Sequence, residues 1–328
     1  IKTGLSHGTV IAILNKEKFE ITTLRKDIKT DGRHAKVKFT RDWFEDSNRR
    51  DFTINAMSCD FNGNLYDYHN GLEDLKNERI KFIGNPEERI KEDYLRILRY
   101  FRFCAYYGRN NIEKSQINIF KKLSSNLKKL SSERLYSEFK QILLSDNSYE
   151  VIKMMENCGV LKYIIFNNNN LEKMKSINKL KKINHLIDFS NRLAILLNEK
   201  NISKVSKNLK LSKIEDNKIK KIAHLSKDFN FNDFEKNTIK YIYYHGQEIC
   251  VSLLIYNFAK FPINSKVKTY LKIISSIKNL KIPKLPVLGR DIINLGIKPG
   301  PKIGKILKLI ENWWITNNFK PSRKKCLE

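Results

Sequence analysis

The spacing of apolar and polar residues divides the chain into a strand-forming beginning and a long helical remainder. Residues 9–14 form a β-branched and apolar run, and residues 19–24 alternate between apolar and polar side chains. This pattern predicts two strands joined by a hairpin loop at residues 15–18. A turn signal at residues 31–33, Asp-Gly-Arg, precedes another alternating stretch at residues 35–40. The beginning of the chain is therefore expected to be a mixed α/β region.

A helix is predicted from Pro86, where the apolar period changes to that of an α-helix. Asn85 suits the N-cap, Pro86 the first helical position and Gly108 the terminator. The apolar stripe of this helix consists of Ile90, Tyr94, Ile97, Phe101 and Cys104. Arginines recur at every third position from Arg96 on the opposite side, and Asp93 comes one turn earlier. Because residues three apart are neighbours on a helix, we expect Asp93 and Arg96 to lie side by side.

An acidic acceptor beside a guanidinium donor can distinguish between nucleic-acid bases. Cytosine and adenine present an amino donor beside a ring-nitrogen acceptor, whereas uracil and guanine present a carbonyl acceptor beside a ring N–H. Asp93 can accept a hydrogen bond from the amino group, and Arg96 can donate one to the ring nitrogen. Such a pair would accept C and A and refuse U and G. The alternative is an ordinary surface helix with ion pairs between residues three apart.

Beyond residue 110 the pattern predicts helices separated by connections rich in Asn, Ser and Gly. Gly159 and Gly246 are expected helix breakers, and the low-complexity residues 167–170 are an expected loop. A proline-containing link at residues 282–286 precedes a last helical segment at residues 288–319. The predicted fold class is α+β, with the strands confined to the first part of the chain.

The charge of the chain indicates an acidic partner. Its 328 residues include 63 lysines and arginines against 35 aspartates and glutamates, a formal net charge of +28, which favours nucleic-acid binding. A lysine-rich composition can also follow from an AT-rich genome, and that alternative stays open. Five well-separated cysteines, none in a Cys-x-x-Cys pair, predict a reducing intracellular compartment. No apolar run is long enough to span a membrane, and there is no secretory signal.

Four motifs between residues 19 and 96 resemble the class II nucleotidyltransferase superfamily and, within it, the CCA-adding enzymes or tRNA nucleotidyltransferases. They are Phe-Glu-Ile-Thr-Thr-Leu-Arg at 19–25, Asp-Gly-Arg-His at 31–34, Arg-Arg-Asp-Phe-Thr-Ile-Asn-Ala at 49–56 and Glu-Asp-x-x-Arg at 92–96. Their order and spacing are those of the family. The second motif, which resembles the start of the family's flexible loop, and the arginine helix are most similar to eukaryotic or mitochondrial-type members.

The resemblance implies a domain order. It implies a nucleotidyltransferase palm with a mixed or antiparallel sheet at residues 1–83, a helical neck at 84–145, a helical body at 146–281 and a helical, tRNA-binding tail at 282–328. Because the chain starts at Ile1 in strand-like sequence, we expect the N-terminal part of the palm, and any import signal, to be missing. A mitochondrial, cytoplasmic or nuclear location is expected for a eukaryotic member, and the oligomeric state is left open.

The resemblance also implies roles for the Arg-Arg-Asp motif. Arg50 would bind the nucleoside triphosphate and act in catalysis together with Asp51, and a guanidinium fork matches phosphate oxygens well. Asp51 and Asn55, four residues apart, could bracket a ribose hydroxyl. The alternatives are that Asp51 only caps a helix and that Arg49 is a solvated charge.

The Glu-Asp-x-x-Arg motif would supply the rest of the nucleotide site. Asp93 and Arg96 would read the incoming base in a template made of protein. Arg99 and Arg102 would hold the triphosphate or shape the pocket. Glu92 is expected to cap the helix or to orient a neighbour.

The metal-binding carboxylates of the family are not found in the sequence. Phosphoryl transfer of this kind uses two Mg²⁺ ions held by a carboxylate pair, which in the family is an Asp-x-Asp upstream of all four motifs. This chain has no Asp-x-Asp, and its nearest relative, at residues 233–235, lies in helical context. Glu20 stands where the superfamily tends to place a third carboxylate, so it is a catalytic or metal-binding candidate. The alternative is an ordinary exposed strand glutamate. We expect the two-metal site in the complete protein.

A Gly- and Pro-rich turn at residues 299–301 precedes Lys302 and Lys305. This segment resembles the family's tail near the elbow of bound tRNA, where backbone N–H groups and lysines suit phosphate contact. A plain helix-packing element is the alternative.

The expected function is the template-independent addition of CCA to tRNA 3′ ends from CTP and ATP. One alternative is a poly(A) polymerase of the same superfamily, which would use ATP alone. The other is a non-catalytic tRNA-binding fragment, because the Asp-x-Asp is absent.

Overall fold

The strands of this computed structural model lie in the first part of the chain, as predicted. The structure describes residues 8–31, 34–108, 112–166, 170–262 and 266–328. Within these ranges, three two-stranded antiparallel sheets pair β1 with β2, β3 with β4 and β5 with β6. The strands are β1 (Thr9–Leu14), β2 (Glu17–Thr22), β3 (Arg25–Asp31), β4 (His34–Phe39), β5 (Ser58–Cys59) and β6 (Leu65–Tyr66).

The predicted β1–β2 hairpin is confirmed, with a shorter loop than expected. Leu14 pairs with Glu17, so that only Asn15 and Lys16 form the turn. Both have positive φ, 51° and 69°, which is the geometry of a type I′ turn. The mirror-image turn matches the right-handed twist of the two strands, so the second strand begins two residues before the alternating pattern.

The predicted strand at residues 35–40 is β4, shifted by one residue. It pairs with β3 from Arg25↔Phe39 to Asp31↔His34, with a register shift between Asp27 and Lys29. Of the predicted turn at residues 31–33, Asp31 ends β3, while residues 32 and 33 lie outside the described residues. The same applies to residues 167–169 of the predicted loop at 167–170.

The remaining elements of the described residues are helices, as predicted for the chain beyond residue 110. The helices are α1 (Trp43–Asn48), α2 (Gly71–Lys76), α3 (Pro86–Glu92), α4 (Leu95–Tyr107), α5 (Lys114–Leu123), α6 (Ser132–Leu144), α7 (Ser148–Asn157), α8 (Leu171–Ile177), α9 (Phe189–Leu196), α10 (Ile202–Asn208), α11 (Lys213–Leu225), α12 (Phe231–Lys236), α13 (Thr238–His245), α14 (Gln247–Lys260), α15 (Val267–Ile277), α16 (Gly289–Asn294), α17 (Pro301–Thr316) and α18 (Arg323–Leu327). Gly159 and Gly246 end α7 and α13 with positive φ, which confirms them as breakers.

The prediction of one helix from Pro86 to Gly108 is wrong, because the helix breaks at Asp93. Asp93 is extended, with φ −152° and ψ 109°. Its Oδ1 accepts a hydrogen bond from the backbone N of Leu95 at 3.1 Å, and its carbonyl oxygen accepts one from the backbone N of Arg96 at 3.0 Å. A short acidic side chain competes with the helical hydrogen bonds in this way. Asp93 therefore starts a new helix instead of standing one turn before Arg96 on the same one.

Two compact units divide the chain: Ile1–Asn178 with Asp188–Asn217, and Lys179–Ile187 with Lys218–Glu328. In the first, α4 packs against α6 and α7, around the fully buried Phe101, Phe120 and Phe139. In the second, a core cluster lies between α16, α17 and α18: Val287, Ile292, Trp314, Ile315 and Cys326. Burial of these apolar faces is the main stabilising term of each unit.

The five cysteines are unpaired, and all of them except Cys59 are buried. No helix in the described part of the chain is long and apolar enough to cross a membrane.

Candidate nucleotide-binding site

The Arg-Arg-Asp motif begins where α1 ends, and the buried carboxylate of Asp46 holds both arginines. Arg49 donates from Nε to Asp46 Oδ1 at 2.9 Å, and Arg50 donates from Nη2 to Asp46 Oδ2 at 3.2 Å. Burial opposes ionisation of Asp46, but the backbone N–H of Arg25 and the Arg49 guanidinium outweigh it, so the pKa of Asp46 is lowered. The alternative of a solvated Arg49 is therefore wrong, because its side chain is 17% exposed and ion-paired.

Arg50 is the more accessible of the two arginines. Its side chain is 40% exposed, and its Nη1 donates to the carbonyl oxygen of Asn55 at 3.1 Å. These contacts fix the guanidinium at the surface of the motif. The Arg50 guanidinium is therefore accessible to a triphosphate, and its role in binding one stays a prediction.

Asp51 is buried and is bound from two sides. Arg99 on α4 donates to it from both Nε and Nη2, and Asn55 donates from Nδ2 to Oδ1 at 2.7 Å. Burial alone would raise the pKa of Asp51. The hydrogen bond and the charge of Arg99 lower this pKa by more than burial raises it, so the pKa of Asp51 lies below its usual value. Burial also opposes the charge of Arg99, yet Asp51 raises the pKa of that guanidinium overall.

Arg99 therefore binds Asp51 through Nε and Nη2. Asp51 and Asn55 bind each other, and the Asn55 Oδ1 accepts a hydrogen bond from the backbone N of Phe52 at 3.2 Å. These contacts lock the short 3₁₀ turn Thr53–Asn55. The triphosphate role of Arg99 and the ribose contact of the Asp51–Asn55 pair stay predictions.

Arg89 on α3 is a residue of the site that sequence reasoning missed. Its Nη2 donates to the carbonyl oxygen of Arg49, at 2.7 Å, and to that of Arg50. Carbonyl groups at the end of a helix such as α1 have no intrahelical partner, and Arg89 supplies one. Its Nη1 donates to Glu92 Oε2 at 2.7 Å. Burial first, and then the charge of Arg96, lower the pKa of Arg89. Arg89 therefore ties the Arg-Arg-Asp motif to the Glu-Asp-x-x-Arg motif.

The two predicted base-reading residues lie on either side of the helix break and have separate partners. Arg134 on α6 donates from Nη2 to Asp93 Oδ2 at 2.6 Å. Arg96 donates from Nη1 to Glu92 Oε2 and to the carbonyl oxygen of Arg89 at 2.7 Å. Glu92 therefore contacts Arg96 and Arg89, which is the geometry expected if it orients a neighbour. Both of these side chains keep some exposure, 19% for Asp93 and 12% for Arg96.

Arg102 joins α4 to α6 through Glu138. The Arg102 Nε lies 3.0 Å from the Glu138 Oε2, and the guanidinium groups of Arg102 and Arg99 lie 5.1 Å and 5.8 Å from the Phe103 ring centroid. Burial raises the pKa of Glu138, although Arg102 and Arg99 oppose this. The predicted role of Arg102 in holding the triphosphate or shaping the pocket stays a prediction.

Other predicted residues lie outside this network. Glu20 is exposed on β2 and pairs across the hairpin with Ile11. Lys302 and Lys305 are exposed on the first turns of α17, in the second unit. His69 packs beside α1, where its Nε2 lies 3.0 Å from the Ser47 Oγ and its ring stacks on Phe44.

The carboxylates of the site do not fit a magnesium centre. Asp46, Asp51, Glu92 and Asp93 are each paired with an arginine. Among the described residues, no group of three or more His, Cys, Asp and Glu side chains could hold a metal ion. We therefore assign no metal ligand among the described residues and derive no step through a metal.

Comparison with known protein families adds to this geometry. The sequence model of the Poly A polymerase head domain matches residues 1–81, that of the "Probable RNA and SrmB-binding site of polymerase A" matches residues 111–167, and that of tRNA nucleotidyltransferase domain 2 matches residues 189–328. These three matches together span most of the chain.

Individual relatives agree with the family matches. The human CCA tRNA nucleotidyltransferase 1, mitochondrial, is 34% identical over 99% of this chain and 75% of its own length. The zebrafish protein of the same name is 32% identical with the same coverage. A CCA-adding enzyme of Lactococcus lactis is 31% identical over 98% of this chain and 80% of its own length.

Solved structures share the fold. The Bacillus stearothermophilus CCA-adding enzyme in complex with CTP superposes with a TM-score of 0.76 at 22% identity, covering 96% of this chain and 78% of that one. The Thermotoga maritima CCA-adding enzyme complexed with tRNA superposes with a TM-score of 0.63 at 21% identity, covering all of this chain and 79% of that one. The predicted α+β fold and the resemblance seen in the sequence are confirmed, and the chain belongs to the family of CCA-adding enzymes, the tRNA nucleotidyltransferases.

Proposed function

We propose that this protein adds CCA to tRNA 3′ ends without a nucleic-acid template and that Asp93 and Arg96 choose the incoming base. The observation that carries the proposal is the arrangement at the break between α3 and α4. There Arg134 holds one oxygen of Asp93, and Glu92 holds one nitrogen of Arg96. Relatives solved with CTP, with ATP and with tRNA support the substrates.

Both side chains keep hydrogen-bonding capacity for a base. A carboxylate has about four acceptor positions, and the described contacts of Asp93 are one to each oxygen. Within the described residues, the hydrogen bonds of Arg96 all leave from Nη1, so Nε and Nη2 can donate to a ring nitrogen. Uracil or guanine would place a carbonyl oxygen against the Asp93 carboxylate and leave partly buried polar groups unpaired, which is costly.

The remaining arginines divide between substrate contact and support. Arg50, 40% exposed, would bind the triphosphate. Arg99, Arg102 and Arg89 would hold the two motifs in place through Asp51, Glu138 and the end of α1. In the reaction, the terminal 3′ hydroxyl of the tRNA attacks the α-phosphate of the bound nucleotide, which forms a phosphodiester bond and releases pyrophosphate.

Magnesium belongs to the chemistry of the family in general, and the carboxylates described here supply no site for it. The animal relatives carry the word mitochondrial in their names. We extend a mitochondrial location to this protein as part of the proposal. Subcellular fractionation tests it, and recovery of the protein outside mitochondria only would contradict it.

Nucleotide selection tests the proposed function. The protein is given tRNA transcripts that lack CCA and each of the four ribonucleoside triphosphates, singly and together, and incorporation is measured alongside equilibrium binding of each nucleotide. We expect CTP and ATP to bind and to be incorporated, with UTP and GTP refused. Incorporation of ATP alone, on any RNA, would support the poly(A) polymerase alternative. Selective binding of CTP and ATP without incorporation would support the non-catalytic alternative. Equal binding of all four nucleotides would contradict the assignment of Asp93 and Arg96.

A further inference from the structure

A groove of about 720 Å³ opens in the first unit where three segments meet α10. These segments are the 3₁₀ turn Ser124–Lys129, the start of α6 and the 3₁₀ turn Leu161–Tyr163. None of the residues that line the groove is acidic, and none belongs to the candidate nucleotide-binding site. Three lysines lie along it: Lys128, Lys162 and Lys204.

Aromatic rings, not carboxylates, support these lysines. The Nζ atoms of Lys128 and Lys162 lie 5.5 Å and 5.2 Å from the ring centroid of Tyr163, and the Nζ of Lys204 lies 4.0 Å from that of Phe166. A cation over a ring face is held in place but keeps its charge and its N–H donors. In the described part of the chain, none of the three lysines forms an ion pair. Three positive charges therefore face the groove without a neutralising acid.

The wall that carries the two rings is fixed by its own contacts. The Nδ2 of Asn208 on α10 donates to the carbonyl oxygen of Ile164 at 2.8 Å. Phe166 has a φ of 64°, a left-handed conformation that a non-glycine residue adopts at a cost and keeps only when its surroundings hold it. The backbone that carries Tyr163 and Phe166 is therefore held in place, and so are the rings over which the three lysines lie.

We propose that this groove is a phosphate-binding site, separate from the site that selects the nucleotide. Ammonium groups bind phosphate oxygens as point charges and read no base. Lysines already cover both aromatic rings, which favours a phosphate over a stacked base as the bound group. The hydroxyl of Ser132, another lining residue, adds a neutral donor. The phosphate belongs either to the RNA backbone, in which case the inference rests on the proposed function, or to a free polyphosphate.

This inference goes beyond the family description of residues 111–167 as a probable RNA-binding site. That description names no residue and no ligand group, and Lys204 and Asn208 lie outside its range. We assign the bound group as a phosphate and its contacts to three lysines of the groove.

The test replaces the three groove lysines together, Lys128→Gln, Lys162→Gln and Lys204→Gln, in the full chain. A matched control replaces three exposed lysines of the same unit outside the groove: Lys114→Gln, Lys153→Gln and Lys175→Gln. Lys153 is a close match because its Nζ lies 6.0 Å from the ring centroid of Tyr149. Both variants lose the same net charge, and thermal unfolding shows whether each is folded.

Binding of tRNA lacking CCA is measured as a function of salt, together with binding of inorganic tripolyphosphate. For an RNA phosphate we expect the slope of log K against log salt to fall by about 1 for each lysine that contacts a phosphate, in the groove variant only. A triple Lys→Arg variant should restore the slope. For a free polyphosphate we expect the groove variant alone to lose tripolyphosphate binding, while its tRNA slope is unchanged.

Equal slopes and equal tripolyphosphate binding in the groove and control variants would overturn the inference. A failure of the proposed function is seen elsewhere, in the preference for CTP and ATP over UTP and GTP that Asp93 and Arg96 are proposed to set. The two failures can therefore be told apart.

Discussion

Replacement of Asp51 by Asn should destabilise the first unit strongly, because it removes the charge that Arg99 pairs with. Asp51 is 3% exposed, and the side chain of Arg99 is 29% exposed. Removing one partner of a buried pair costs about 3–5 kcal/mol. Asn can still form one hydrogen bond to Arg99, and the partly exposed guanidinium can regain some water. We therefore expect a loss of about 3 kcal/mol in the free energy of unfolding at pH 7.

The assay is urea unfolding of the wild-type protein, Asp51→Asn, Arg99→Gln and the double variant. The double-mutant cycle isolates the interaction, since the loss in the double variant should be well below the sum of the two single losses. The surface variant Glu133→Gln serves as a control. Glu133 and its partner Lys210 are both more than half exposed, so little change is expected.

The pH dependence gives an independent check. The pKa of Asp51 is lowered in the folded protein, so its contribution is complete above its unfolded pKa of about 3.9. It is lost as the pH falls below that value towards the folded pKa. The stability difference between wild type and Asp51→Asn should thus be constant at neutral pH and shrink in acid. Additive single losses, or a difference that grows in acid, would refute the reasoning.

Three further changes test other parts of the site. Arg89→Gln should lower the free energy of unfolding by about 2 kcal/mol, because carbonyl oxygens of the Arg-Arg-Asp motif and Glu92 lose a charged donor. Urea unfolding measures this loss, and an unchanged midpoint would contradict the role of Arg89. Asn85→Ala should cost about 1 kcal/mol in the same assay, since Asn85 Oδ1 accepts hydrogen bonds from two backbone N–H groups at the start of α3; a neutral result would remove it as a cap. Lys302→Gln with Lys305→Gln should reduce the salt slope of tRNA binding by about 2, and an identical slope would mean that this face of α17 does not contact RNA.

Local features of the fold could be predicted from the sequence. The β1–β2 hairpin follows from alternation over two short stretches, and the start of α3 follows from Asn85 and Pro86. Each depends on neighbours in the chain. The break at Asp93 was missed because the arginine spacing continues the helical period through it, while the hydrogen bond from the Leu95 N–H to the Asp93 side chain interrupts the helix.

The contacts that position the candidate site could not be predicted, because they join distant parts of the chain. Asp51 and Arg99 are 48 residues apart, and Asp93 and Arg134 are 41 residues apart. Neither Arg134 nor Arg89 belongs to a pattern with a local meaning. The four motifs identified the residues of the site through the family resemblance, but their partners became clear only when α3, α4 and α6 were packed together.

The claim that Asp93 reads the base is tested most directly by the ratio of CTP to UTP affinity in Asp93→Ala, with Arg50→Ala as the matched control. Equilibrium binding of both nucleotides gives the ratio for each protein. In Asp93→Ala we expect the ratio of CTP to UTP affinity to fall towards one. The affinity for CTP itself should fall by a smaller factor than this ratio. In Arg50→Ala we expect both affinities to fall alike and the ratio to be preserved. An Asp93→Ala protein that discriminates between CTP and UTP as well as the wild type would contradict the account.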